Sequence, residues 1–369
     1  MILPGGGGGT SHLPRFVVEY WVMSKKFTSI AALAAFVVFA AGPVQSQGRK
    51  QGADAGGGGA QGADSGEYRG RSPMEIVGAK EFKEKGVWFG RPAKGTPEEQ
   101  LAYAAELEAG GSVRSATSAY NTVVKEWAGE FPEAAKTAQL KVAELYLKRG
   151  RPADAFGEYQ YFIEKFTDAD DGAFMGALAR QFAIANDELA RIEAGKGRTE
   201  ADVVAAMFHR VVRNAPDWDR AAESQFKRGM CLEHKKEWFE AVFVYEALVS
   251  RFPRSEFVTE ALYRSAFARV RLSDKKPRDE RMMRNAIQSL REAFDNDRSH
   301  AMAEEAVGKH DRLMSSLSRM NFEKAAFYDR IRKNPKAAVI AYKAFAKEFA
   351  GWPEAELALK RAEELGIRN

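Results

Sequence analysis

RAAESQFKRGMCLEHKKEWFEAVFVYEALVSRFPRSEF, residues 220–257, reads as two helices and a stop. On the first, Ala222, Phe226, Gly229 and Met230 recur at helical spacing and share one face. Residues 233–236 (Glu-His-Lys-Lys) break the pattern as a polar turn. On the second, Ala241, Tyr245, Leu248 and Phe252 form a similar apolar stripe. Pro253 ends it, because proline disfavours a helical residue before it and lacks the N–H to continue. Ser255 is placed to cap the next helix.

With Gly229, Ala241, Tyr245 and Pro253 at these positions, the stretch resembles a tetratricopeptide repeat. That unit is a helix–turn–helix of about 34 residues, closed by a proline. Glycine and alanine let the two backbones approach, and the aromatic fills the groove towards the next unit. One such hairpin is also what an ordinary helical pair looks like, so the rest of the chain decides.

Moving outward, the pattern returns. Thr96-Pro97-Glu98-Glu99 is a helix start, with Thr96 as cap and proline in the first turn. The first repeat follows, with Ala104 and Leu107, then Ala116, Tyr120 and Val123, closed by Phe131-Pro132. The second carries Val142, Ala143 and Tyr146, a turn at Gly150, then Ala155, Tyr159, Phe162 and Phe166. The third predicts one long helix over 172–191 and a break at Gly195-Lys196-Gly197. A second helix with Val204, Phe208 and Val211 then ends at Pro216. The fifth carries Leu262, Ala266 and Val270, a long charged connection over 273–284, then Ala286, Leu290 and Ala293. A polar span over 295–318 precedes the sixth, which has Phe322, Ala325, Ala326 and Tyr328. Asn334-Pro335 opens its second helix, with Ala338, Tyr342, Phe345 and Phe349. Leu357, Leu359 and Ala362 lie on a terminal capping helix. The prediction is an all-α, right-handed solenoid of five to six tetratricopeptide-like helix–turn–helix repeats over residues 96–366.

Before the repeats the chain has another character. Residues 1–22 read as an upstream extension, with Met23 as the functional start. Residues 23–46 read as a signal peptide: Lys25 and Lys26, an apolar run of 12 residues over 30–41, and Val44-Gln45-Ser46 before the cut. Residues 47–72 are rich in Gly, Ala and Gln and predict a flexible linker. Residues 73–95 form a lead-in with Ile76, Phe82, Trp88 and Phe89 that is expected to pack on the first repeat. Export to the periplasm is therefore expected. The predicted mature chain starts at Gln47, with no lipidatable cysteine there.

At 45% apolar and 29% charged, the composition suits a water-soluble globular chain. Loss of Arg15, Glu19, Lys25 and Lys26 with the leader lowers the formal charge from +5 to +3. That mild surplus gives no case for nucleic acid, and the basic runs are interleaved with acids. The single cysteine, Cys231, excludes an intramolecular disulfide framework and reads as a buried thiol.

No catalytic constellation is legible. The five histidines form no HExxH pair, and neither a phosphate-binding loop nor a GxSxG elbow is present. No enzyme activity, cofactor or metal is therefore expected, and the working partners are other proteins. Trp127, Trp218, Trp238 and Trp352 sit near hairpin ends, as packing residues or partner anchors. Tyr103, Gln139, Tyr146 and Arg180 lie on the first helices of repeats one to three. They are the candidate partner-binding residues, able to stack on and hydrogen-bond an extended peptide.

The whole arrangement is similar to the BamD-like family of outer-membrane assembly proteins. The matching stretches are AQLKVAELYLKRGRPADAFGEYQYFIEKF (138–166), residues 228–257, and FEKAAFYDRIRKNPKAAVIAYKAFAKEF within 322–363. The resemblance implies a non-enzymatic periplasmic subunit at the inner face of the outer membrane. Its partners would be a barrel-assembly subunit and unfolded outer-membrane protein segments. Gln47 stands where that family carries a lipidated cysteine, so peripheral association without a lipid anchor is expected. The alternative is a periplasmic adaptor of envelope or cell-wall maintenance, of the Tol–Pal-associated type. No sustained heptads stand before the repeats, as that type often has.

Overall fold

Each tetratricopeptide-like hairpin buries a stripe that a single helix pair cannot cover, so neighbouring hairpins must stack. The computed structural model describes residues 93–167, 169 and 171–367. The extension, signal peptide and linker read from the sequence lie outside the described residues, as does the lead-in up to residue 92.

The described residues form thirteen helices and no strand. In chain order these are α1 (Pro97–Ala109), α2 (Val113–Trp127), α3 (Pro132–Lys148), α4 (Pro152–Lys165), α5 (Asp171–Glu193), α6 (Ala201–Asn214) and α7 (Ala221–His234). There follow α8 (Trp238–Arg251), α9 (Val258–Lys275), α10 (Glu280–Asn296), α11 (Ala303–Arg330), α12 (Pro335–Glu348) and α13 (Pro353–Ile367). The chain divides into two compact units, one running to Leu317 and the other from Ser318.

In the first unit each helix from α1 to α10 packs on the next in sequence. First helices also meet across neighbouring hairpins, α1 on α3 and α5 on α7, as do the second helices α4 and α6. This chain of nearest-neighbour contacts is what a helical-hairpin solenoid requires. The alanines placed by the sequence lie at the close contacts: Ala104, Ala116, Ala143, Ala155 and Ala241 are fully buried. Gly229 marks the tightest approach, for a Cβ there would lie 2.4 Å from Tyr245 Cε1. In the second unit α12 packs on α13, and Phe345 and Phe349 stack with ring centres 4.9 Å apart.

Local signals set the helix ends. Thr96 accepts from the Glu99 N–H, and Asn334 from the Ala337 N–H, as their cap positions require. Ser255 does otherwise: its Oγ accepts from the Phe257 N–H inside the connecting turn, and α9 begins at Val258. The hairpin turns use left-handed backbone, at Gly111, Gly150 and, against the usual preference, Lys236 with φ 61°.

Two expectations are corrected. The charged connection expected over 273–284 shrinks to residues 276–279, because α9 runs to Lys275 and α10 starts at Glu280, capped by Asp279. The polar span over 295–318 is largely helical, since α11 is a single helix of 28 residues. Over this span its buried side is a sparse row of Ala303, Ala306, Leu313, Leu317 and Ser318, too thin a stripe to stand out among charges.

Cys231 is fully buried on α7, and burial in apolar surroundings pushes its thiol well above the ordinary range. A thiol so held gives no thiolate at neutral pH. An aromatic disulfide reagent should therefore leave the native protein unlabelled and react once urea unfolds it. Rapid stoichiometric labelling of the native chain would contradict the burial.

Candidate functional site

Three of the four tyrosines that the sequence places on second helices, Tyr120, Tyr245 and Tyr342, are anchored in recurring seams between helices. In each seam an acid on the first helix faces a tyrosine on the second and a base on the following helix. Tyr245 of α8 donates to Glu233 of α7 at 2.8 Å. The other Glu233 oxygen takes Arg264 of α9 at 2.9 Å. Arg264 also reaches Glu260 at 2.8 Å and lies 5.5 Å above the Phe226 ring. Tyr120 donates to Glu108 at 3.4 Å, and Glu108 pairs with Lys148 of α3. The Lys148 hydrogen bond holds the Glu108 carboxyl below the usual carboxylate range. In the second unit Tyr342 donates to Asp329, which Arg361 grips at 2.7 and 3.2 Å. Tyr159 is buried at the corresponding place on α4, and burial raises its hydroxyl pKa to about 12.

A second recurrence pins the two helices of a hairpin together. Gln100, Gln139 and Gln225, on α1, α3 and α7, each donate a side-chain N–H to a carbonyl 19 residues on. The acceptors are Ala119, Glu158 and Val244, at 3.3, 2.9 and 3.0 Å. Between hairpins two and three the amides of Gln160, Gln181 and Asn214 bond to one another at 2.8 to 3.1 Å. Buried amides in register specify one alignment, since a slip would leave each of them unsatisfied.

The four residues proposed for partner binding divide accordingly. Gln139 is corrected: it is fully buried, and its amide serves Glu158, so it holds α3 to α4 and is not open to a partner. Arg180 is exposed on α5 near Tyr159. Tyr146 is half-buried at the end of α3, with the guanidinium carbons of Arg149 and Arg151 5.6 and 5.3 Å from its ring centre. Tyr103 is half-buried on α1, with Lys94 at 5.8 Å. Three aromatic or basic groups thus remain on three successive first helices. Trp218, named as an anchor or a packing residue, packs edge-on to Phe182 at 5.7 Å.

Sequence reasoning missed Phe239 and Phe243. They sit one turn apart on α8 and are 71% and 67% exposed. The signal was there, since α8 is apolar on more than its buried stripe of Ala241, Val242, Val244, Tyr245 and Leu248. An exposed apolar pair on a repeat helix is a candidate contact surface.

Residues 223–255 match the family model of the tetratricopeptide repeat. The repeat reading thus has family support over the fourth hairpin, and the helix packing extends it along the first unit. Among solved structures, the chain is similar to Podosopora anserina kinesin light chain nearly identical TPR-like repeats. There the identity is 15%, coverage is 56% of this chain and 100% of that one, and the TM-score is 0.26. It is also similar to a tetratricopeptide repeat protein from Parabacteroides merdae. Here the identity is 12%, coverage is 72% of this chain and 98% of that one, and the TM-score is again 0.26. Superpositions this loose leave the fold assignment to the helix packing itself. No curated protein matches the chain.

Among the described residues no group of His, Cys, Asp and Glu is arranged to hold a metal ion. None of the described helices is long and apolar enough to cross a membrane. Among the described residues the one strongly perturbed histidine is His209 on α6. Its ring takes an N–H bond from Arg228 of α7 at 3.1 Å, and burial holds its pKa down at about 4, with Arg228, Arg213 and Arg210 adding repulsion. Below its ordinary pKa the unfolded chain binds a proton that the folded chain refuses. Stability should therefore fall as pH drops from about 6.5 towards about 4. His209→Gln should flatten that part of the unfolding profile, and an unchanged profile would contradict the assignment.

Proposed function

We propose that the chain is a non-enzymatic scaffold that holds other proteins. In this reading it is an exported, BamD-like component of outer-membrane β-barrel assembly. Tetratricopeptide repeats mediate protein–protein contacts, and the observation that carries the scaffold reading is the stack of hairpins locked by the tyrosine seams and glutamine pins. Such a frame carries side chains of successive first helices at its surface, within reach of a partner. Tyr103, Tyr146 and Arg180 supply two ring faces and a cation on that row, groups suited to an extended segment. Phe239 and Phe243 supply a second, apolar surface for a folded partner. The periplasmic site and the barrel-assembly role come from the predicted leader and from the sequence resemblance.

Affinity capture tests this reading. The full chain, tagged at its C-terminus, is expressed in its own host and recovered from the cell envelope with bound proteins. The barrel-assembly reading expects the barrel subunit in the captured set, and its loss when Phe239 and Phe243 are both changed to serine. Capture of Tol–Pal components instead would replace it with the envelope-adaptor reading. Recovery of the tagged chain from the cytosol with its leader intact would remove both.

A further inference from the structure

One cavity lies apart from the tyrosine seams. It occupies about 580 Å³ where the turn between α1 and α2 meets the turn between α3 and α4. It is lined by Gly111, Ser112, Val113, Arg114, Ser115, Arg149 and Arg151, so three guanidinium groups and two hydroxyls line one space without a carboxylate among them. Arg151 gives its Nε–H to Asp154 at 2.7 Å, so part of its charge is already matched. Arg149 sits against the Tyr146 ring at 5.6 Å, and among the described residues it has no acidic partner. Arg114 is exposed, and among the described residues it pairs with no acid. Two uncompensated positive charges therefore face the cavity.

The backbone adds to the side chains. Ser112 precedes α2 without a side-chain cap bond, and the first turn of α2 holds no acidic residue. The other second helices of the first unit differ here: α4, α6, α8 and α10 each have an acid in that turn, although α12 of the second unit has none. An acid would neutralise the positive end of a helix and occupy its free N–H groups. On α2 that role is left open, in the same place where the arginines converge.

We propose that this cavity binds a phosphate group. Two unmatched guanidinium charges suit a dianion better than a single carboxylate. The planar donor forks of arginine match the oxygens of a tetrahedral phosphate, and the N–H groups of the α2 first turn supply further donors. The volume falls within the range of small-molecule sites and exceeds what a bare oxyanion fills, leaving space for the group that carries it. Free phosphate and a small phosphomonoester share this chemistry, and titration distinguishes them.

The test is calorimetric titration of the full chain with inorganic phosphate, glycerol phosphate and acetate at constant ionic strength. Phosphate or its monoester should bind, and acetate should bind at least about tenfold more weakly, since each charge-assisted bond forgone costs about that much. Arg114→Gln and Arg149→Gln should each weaken phosphate binding by roughly tenfold. Arg213→Gln, which removes an exposed arginine of α6, should leave it unchanged. Tighter binding of glycerol phosphate assigns the site to a monoester, and tighter binding of inorganic phosphate assigns it to the free ion. Acetate binding as tightly as phosphate, equal weakening by all three substitutions, or no phosphate binding at all would overturn the proposal. Circular dichroism of each variant ensures that a loss reports on the cavity and not on unfolding.

Discussion

Gly229→Ala should destabilise the protein at the upper end of the roughly 1–3 kcal/mol that overpacking a helix contact costs. The added Cβ would stand 2.4, 2.5 and 2.9 Å from three carbons of the Tyr245 ring. The ring is fully buried, in contact with Phe226 at 5.8 Å, and its hydroxyl is tied to Glu233 at 2.8 Å. It cannot slide away without giving up that bond, so either α7 and α8 move apart or the seam opens. Gly308→Ala is the matched control: it lies within α11 with nothing inside 4 Å of the new methyl. There the gain in helix propensity should add about 0.5–1 kcal/mol. Urea unfolding of the two variants and the parent measures both. Equal midpoints for Gly229→Ala and the parent would remove the close contact on which the hairpin register rests.

Arg264→Met should cost about 1–3 kcal/mol, through the carboxylates it leaves behind rather than through lost apolar contact. Arg264 and Glu233 are each about a fifth exposed at the side chain, so solvent screens the pair only in part. Removing the guanidinium leaves Glu233 with the Tyr245 hydroxyl alone and strips the cation from the Phe226 ring. Glu233→Gln in the Arg264→Met background should cost less than in the parent. The coupling expected from the cycle is about 0.5–3 kcal/mol. Additive effects would mean that the acid, tyrosine and base of this seam do not act together.

The stripes of alanine and aromatic residues carried the fold into the sequence, because small residues at helix contacts recur hairpin by hairpin. Ala155, Ala241, Tyr159 and Tyr245 are buried where that spacing puts them. The seams were legible only by half. Tyrosine stands out in a helix stripe, whereas Glu233 and Arg264 look like any surface charge until α9 brings them within reach. Gln139 misled for the opposite reason. A glutamine on a first helix suggests a surface group, but the Glu158 carbonyl on the facing helix draws it inside. The repeated spacing of 19 residues from glutamine to acceptor was present in the sequence, although the acceptors are backbone atoms that no residue type announces. α11 was hidden because its buried row is made chiefly of small and widely spaced residues.

The central claim is that the stack of hairpins presents its first helices to an extended segment of another protein. Calorimetric titration of the chain from Gln47 onward with a peptide copied from the C-terminal strand of an outer-membrane barrel tests it most directly. The account predicts saturable binding that weakens by roughly tenfold in Tyr146→Ala and in Arg180→Ala, the loss expected for one stacking or charge-assisted contact. Gln139→Leu should alter stability instead, because that side chain faces α4. Absence of binding by the folded chain, or equal affinity in the parent and both surface variants, would contradict the claim.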